Sequence, residues 1–199
     1  MIKYKGIHHL SMATRDLEAT VRFWRDLLEM RLVIGMGRPG YRHYFFEISP
    51  NNLISFFEWP HVEPVEEKDH GFPVKGPFIF DHVAFEVQKK EDLWTLRDRL
   101  EAAGFWVSEA IDHGFIHSVY SFDPNGIPIE FSHSVARFNV RQNPVMVDSS
   151  PHEAALEGPD PQRDRWPSVS QWSVSKERDL FPGEGEELFE GKKKNWWQH

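Results

Sequence analysis

Ile7-His8-His9-Leu10-Ser11-Met12-Ala13-Thr14 and, 73 positions later, Phe80-Asp81-His82-Val83-Ala84-Phe85-Glu86-Val87 are two versions of one segment. Each reads as a short strand with a histidine near its start, and a duplication constrains the whole architecture. A helix is predicted after each copy. Asp16 is placed to cap the first, whose apolar positions Leu17, Val21, Trp24 and Leu28 recur at helical spacing. Leu93, Leu96, Leu100 and Ala103 repeat the pattern in the second, and Gly104 is placed to end it. Two strands rich in apolar and aromatic residues follow in each half, at roughly 41–48 and 52–59, then 115–122 and 127–133. One further strand is expected ahead of each hairpin, at Arg31–Gly35 and Phe105–Glu109. Asp123-Pro124-Asn125-Gly126 makes the last turn, since proline presets φ and Asn-Gly accepts positive φ.

The expected fold class is therefore α+β. Two paired βαβββ modules, residues 1–62 and 79–133, form a curved, barrel-like mixed sheet with a metal site in its concave face. Residues 63–78 are the linker, within a stretch rich in Pro, Glu and Gly. Residues 134–199 form an irregular C-terminal extension, broken by Pro144, Pro151, Pro159, Pro161, Pro167 and Pro182. Its Trp166, Trp172, Trp196 and Trp197 argue for an arm packed on the barrel or on a partner subunit, because large aromatics gain most from burial.

Composition narrows the function classes. Among 199 residues, 40% are hydrophobic and 14% aromatic, which is globular usage. A formal charge of −8 argues against a nucleic-acid surface, which needs a basic face to neutralise phosphates. Cysteine is absent, so disulfides and thiolate metal sites are excluded. No apolar run approaches a signal or transmembrane segment, and the expectation is a cytoplasmic protein without nucleic-acid or membrane partners.

His9 and His82 occupy equivalent places in the two modules, and Glu130 sits mid-strand between Ile129 and Phe131. A carboxylate among apolar neighbours is costly unless paired or bound to a metal. Two imidazoles and one carboxylate on one side of an ion form the facial triad of non-haem Fe(II) chemistry. The competing reading is that each histidine is a satisfied structural residue, and the repeat equivalence of the pair weighs against it.

The duplicated pattern resembles the vicinal oxygen chelate superfamily, which includes glyoxalase I, epimerases, drug-resistance proteins and type I extradiol dioxygenases. The resemblance spans residues 6–133. The run from Ile111 to Glu130 is similar to the extradiol ring-cleavage signature, through His113, Val119-Tyr120, Asp123-Pro124-Asn125-Gly126 and Glu130. That resemblance implies Fe(II) on His9, His82 and Glu130, with Mn, Ni, Zn or Co as alternatives. It also implies a catechol-like aromatic and O2 as substrates, Tyr120 hydrogen-bonded to a substrate oxygen, and His113 steadying negative charge beside it. Asn52 falls where such enzymes carry a proton-delivering histidine, and asparagine cannot exchange a proton near neutral pH. His43 or His117 is left to substitute, and Asn52 and His117 are expected to contact substrate.

The runner-up is a glyoxalase- or epimerase-like isomerase or lyase, which takes a glutamate from each module. Aligning Ile54-Ser55-Phe56 with Ile129-Glu130-Phe131 gives Ser55 at the first of those positions, whereas spacing alone favours Glu58, brought inward by a bulge. A third reading is a metal-free resistance protein that binds small molecules in an aromatic-lined cleft, with Phe56, Phe57, Trp59, Phe80 and Phe85 as candidate lining. A homo-oligomer is left open.

Overall fold

Strand β1 (His9–Thr14) lies parallel to β4 (Asn52–Glu58), and β3 (Tyr41–Ser49) and β2 (Arg31–Arg38) extend the sheet in the order β1-β4-β3-β2. The second module repeats this as β5 (Val83–Glu86), β8 (Pro128–Ser134), β7 (Ile116–Phe122) and β6 (Ile111–Asp112), in the order β5-β8-β7-β6. The computed structural model describes residues 7–38, 40–68, 71, 73, 80–137, 139, 142–145, 147–148, 153–162, 167–172 and 180–181. The α+β class and the paired modules are as expected, but the sheets remain two open four-stranded units rather than one closed barrel.

Alternation along the strands assigns the faces. In the first sheet Phe46, Ile54 and Phe56 are fully buried. In the second, Phe85, Val119, Ile129 and Phe131 play the same part, and all seven belong to one hydrophobic core. Helix α1 (Leu17–Val21) opens with Asp16 Oδ1 accepting from Ala19 N–H at 2.9 Å, the expected cap. The pattern predicts an ordinary helix through Leu28, but residues Arg22–Leu27 widen into a π-helical segment, with Leu28 N–H donating to Phe23 O at 3.0 Å. The wider turn lets consecutive residues Phe23 and Trp24 both enter the core. The Trp24 ring lies 5.6 Å from Phe56 and 5.5 Å from Phe85, so it joins the two sheets. A side chain of this size buries on the order of 200 Å², worth up to about 5 kcal/mol. Helix α2 (Asp92–Ala102) ends as predicted, at Gly104 with φ +83°.

Two further details bear on the site. The strand expected at Phe105–Glu109 is reduced to a single bridge, Val107 to Ser121. Ser108 Oγ accepts from Tyr120 N–H at 2.9 Å, so a side chain replaces the backbone partner and the ladder breaks. The Asp123 turn is tight: Asp123 Oδ1 accepts from Asn125 and Ile127 N–H, and Trp24 Nε1–H donates to Oδ2 at 3.3 Å. The linker seals it, with Val65 N–H donating to Asn125 O at 2.9 Å.

Residues 140–199 form a separate unit, whose described residues include one 3-10 turn, Glu153–Glu157. Trp172 is 74% exposed, and Trp166, Trp196 and Trp197 lie outside the described residues. Among the described residues, no helix is long and apolar enough to cross a membrane.

Candidate metal centre

Because both apolar sheet faces share one core with the helices between them, the opposite faces are the ones free to carry chemistry. On the second sheet that face presents Ser118, Tyr120 and Glu130, with Tyr120 directly opposite Glu130 in the β7–β8 register. His82 precedes β5, two residues before Ala84, the partner of Glu130 across the β5–β8 ladder. His82 Nε2 and Glu130 Oε2 meet at 2.8 Å. On its other side, His82 Nδ1 lies 2.7 Å from Asp81 Oδ1. Asp81 also takes Lys68 Nζ at 2.8 Å and Gly71 N–H at 3.1 Å. These partners, Lys68 first and His82 next, hold the Asp81 carboxyl well below the usual range, so it is anionic at neutral pH. An anionic acceptor at Nδ1 holds a ring N–H there and leaves Nε2 as the nitrogen that faces Glu130, where an ion would sit between them.

Glu130 is 3% exposed and accepts a short hydrogen bond from Ser118 Oγ–H. Tyr120 is buried above it and pushed up to about 12, by burial first and by the Glu130 charge next. Tyr120 Oη lies 3.0 Å from His113 Nε2, the pair that the ring-cleavage signature anticipates.

The first sheet offers the matching face. Ser11 is opposite Ser55 on β4, and Ser55 is opposite Phe45 on β3. Ser55 thus stands where Glu130 stands in the second module. Strand β4 runs without a bulge from Ser55 to Glu58, so Glu58 has the opposite parity and pairs with Arg42 on the helix-covered side. His9 lies at the exposed start of β1, its ring centre 5.6 Å from that of Phe45 and its Nδ1 2.9 Å from His8 Nδ1.

The structure therefore brings His82 and Glu130 together, with Tyr120 and His113 beside them, and leaves His9 apart. Among the described residues, no group of three His, Asp or Glu side chains gathers to hold an ion. Asn52 shares parity with Ile54 and binds Ser49 Oγ at 2.8 Å, away from the His9 face. His117 pairs with His133 on the core-facing side of the second sheet, 3.6 Å from Asp112. Asp81 and Ser118 escaped the sequence reading. Asp81 adjoins His82, and Ser118 precedes Glu130 by the interval that separates His43 from Ser55.

The model of the Glyoxalase/Bleomycin resistance protein/Dioxygenase superfamily matches residues 6–131. The chain belongs to that superfamily. Among its relatives, "Putative ring-cleaving dioxygenase MhqE" of Bacillus subtilis (strain 168) is 28% identical over 115 residues, 54% of this chain and 35% of the relative. The chain thus spans about a third of that relative's length. "Glutathione transferase FosA" of Serratia marcescens is 28% identical over 131 residues, 63% of this chain and 79% of the relative. The solved glyoxylase/bleomycin resistance protein/dioxygenase domain from Frankia sp. EAN1pec shares the fold. Its TM-score is 0.57 at 20% identity, covering 67% of this chain and 100% of that one. The superfamily includes enzymes, and its members bind divalent metals. An imidazole and a buried carboxylate converging on one point suit such an ion.

Proposed function

We propose that this protein is a dioxygenase that opens the ring of a catechol-like aromatic, using iron(II) held by His82 and Glu130 of one copy and His9 of a second. The observation that carries the reading is the Tyr120–His113 hydrogen bond at 3.0 Å, set directly opposite Glu130 in the sheet register. Bound iron(II) supplies the charge that favours a catecholate and the redox centre for O2. The chain's own groups do the rest. Tyr120 keeps its proton at neutral pH, and its hydroxyl, held in this chain by Glu130 and His113, would exchange its bond to Glu130 for one to a substrate oxygen. His113, at the exposed rim, steadies negative charge arising beside Tyr120. Ser118 restrains Glu130, and Asp81 fixes the ring of His82.

The second copy enters from the layout of the faces. The apolar sides of both sheets share one internal core, and among the described residues His9 does not gather with His82 and Glu130, so a second copy would have to complete the ligand set. Strands β1 and β5 are outer strands of separate sheets, and Ser11 and Ala84 on them are exposed. A two-fold pair in which each His9 face meets the other copy's Glu130 face generates two equal sites and closes. Mixing His9→Ala protein with Glu130→Gln protein tests this. Each mixed pair has one intact site, so random exchange restores about a quarter of the sites. No recovery of metal binding on mixing refutes the shared site.

The activity itself is tested with iron-loaded protein and a catechol in air, where O2 uptake with a yellow ring-opened product is expected. FosA, matched over 79% of its length, favours a second reading in which the same ligands serve a non-redox transferase, isomerase or lyase. Consumption of a thiol or isomerisation of substrate without O2 uptake would establish that alternative.

A further inference from the structure

The His9 face of the first sheet carries a buried polar chain that the reading above does not use. Ser11 Oγ, exposed on β1, lies 2.7 Å from Ser55 Oγ, which has no exposure. Ser55 Oγ lies 3.1 Å from His43 Nε2, and His43 is 3% exposed. The His43 ring stacks on Phe57 at 3.6 Å and 17° and abuts Phe45 at 4.2 Å. Two polar groups among aromatics, Ser55 and His43, are costly to bury, and an aliphatic residue at 55 would fill the space more cheaply.

The repeat shows what this chain corresponds to. An offset of 75 carries His43 onto Ser118 and Ser55 onto Glu130. In the second module a hydroxyl at the first position holds a carboxylate at the second. In the first module an imidazole at the first position holds a hydroxyl at the second. The ligand position is a hydroxyl here, and its support is an imidazole, a side chain able to carry a proton in transit. Ser11, at the outer end, shares a strand face with His9 two residues away.

We propose that His43 is the proton-exchange group of this face, acting through Ser55 and Ser11. It rests on the reading of the His9 face as half of the catalytic site, and it supplies the proton transfer that Asn52 cannot. Imidazolium Nε2–H gives its proton to Ser55 Oγ, Ser55 passes its own to Ser11 Oγ, and Ser11 passes its own to an oxygen in the site. Each hydroxyl gains and loses one proton, so the net change is one proton moved from His43, with no electrons transferred. The flanking faces of Phe45 and Phe57 suit the transient cation and keep the ring aimed at Ser55. His43 touches no reacting atom and is a positioning and proton-supplying residue.

The test reads the relay without requiring turnover. Exchange of the His43 ring N–H with water is measured by NMR in the full chain. Replacing Ser11 or Ser55 by Ala is expected to slow it at least about ten-fold, and Ser55→Thr, which keeps a hydroxyl, to leave it near the wild-type rate, a control for folding. Unchanged exchange in Ser11→Ala overturns the proposal, because the network is then a closed structural cluster. In the catechol assay, His43→Gln keeps a hydrogen bond to Ser55 but cannot shuttle protons. It is expected to lower kcat about 100-fold with KM little changed, and to recover with added imidazole. Wild-type kcat in His43→Gln refutes the catalytic role. A wild-type protein inactive on catechols defeats the ring-cleavage reading instead, while the exchange rates still decide the relay.

Discussion

Removing Asp81 tests whether the second module is built to hold an ion. Asp81 Oδ1 sits 2.7 Å from His82 Nδ1, and Lys68 and the Gly71 N–H hold it there. In Asp81→Ala, His82 loses the acceptor that selects its Nδ1–H tautomer. The ring can then turn, or settle with its only N–H on Nε2, the atom 2.8 Å from Glu130. Either change removes the lone pair an ion needs. Loss of such a partner typically weakens metal binding about 10–100-fold, or about 1.4–2.7 kcal/mol. Asp81→Asn keeps a neutral acceptor and is expected to fall between Ala and wild type. Competition titration of iron(II) or zinc(II) against a chromophoric chelator reads the affinities, and circular dichroism checks that the fold persists. Affinities within about three-fold of wild type in Asp81→Ala would refute the argument that His82 is a positioned ligand.

Glu130→Gln is expected to weaken metal binding sharply, whereas Glu58→Gln leaves it unchanged, because Glu58 pairs with Arg42 on the helix-covered side. Equal losses in the same chelator titration would restore a four-ligand site. Gly126→Ala places a Cβ 2.1 Å from Val65 O at a φ of +75°. Left-handed strain of about 1–2 kcal/mol, with loss of a hydrogen bond worth about 1, predicts roughly 2–3 kcal/mol of destabilisation in urea unfolding. Tyr120, raised to about 12 in the folded chain from an ordinary value of 10.0, stabilises the fold fully below pH 10. That contribution is lost as pH rises through about 12, so Tyr120→Phe should flatten the alkaline decline in stability. An unchanged slope would show that Tyr120 is not buried beside Glu130. The same variant should lower kcat on catechol by about 100-fold, read by O2 uptake.

Much of this was legible because the duplication repeats in register. The offset of 73 that pairs His9 with His82 also pairs Ser11 with Ala84, and those residues sit opposite Ser55 and Glu130 in their sheets. Tyr120 and His113 met as the signature anticipates. Sequence failed where a side chain or a bend competes with the ladder. Ser108 breaks the strand expected at Phe105–Glu109, and the π-helical turn at Phe23 and Trp24 has no periodic signature. Spacing alone put Glu58 in contention, and only strand parity shows that it faces Arg42. Local pattern fixes which face of each sheet a residue occupies, but not how two sheets are turned relative to one another.

That last distinction explains why the ligand set reads as complete in the sequence and divided in the fold. Trp24 lies between Phe56 and Phe85, so one aromatic commits both sheets to a single interior. With their apolar sides joined, the two chemical faces lie on the other sides of their sheets, and among the described residues His9 does not gather with His82 and Glu130, which is what the shared site proposed above answers. The faces have also diverged in kind. The second presents a carboxylate held by a hydroxyl, suited to a cation, and the first a hydroxyl held by an imidazole, suited to moving protons. In the two-fold pair proposed above, the metal-holding face of one copy would meet the proton-handling face of the other, the pairing that acid–base chemistry on a metal-held substrate requires.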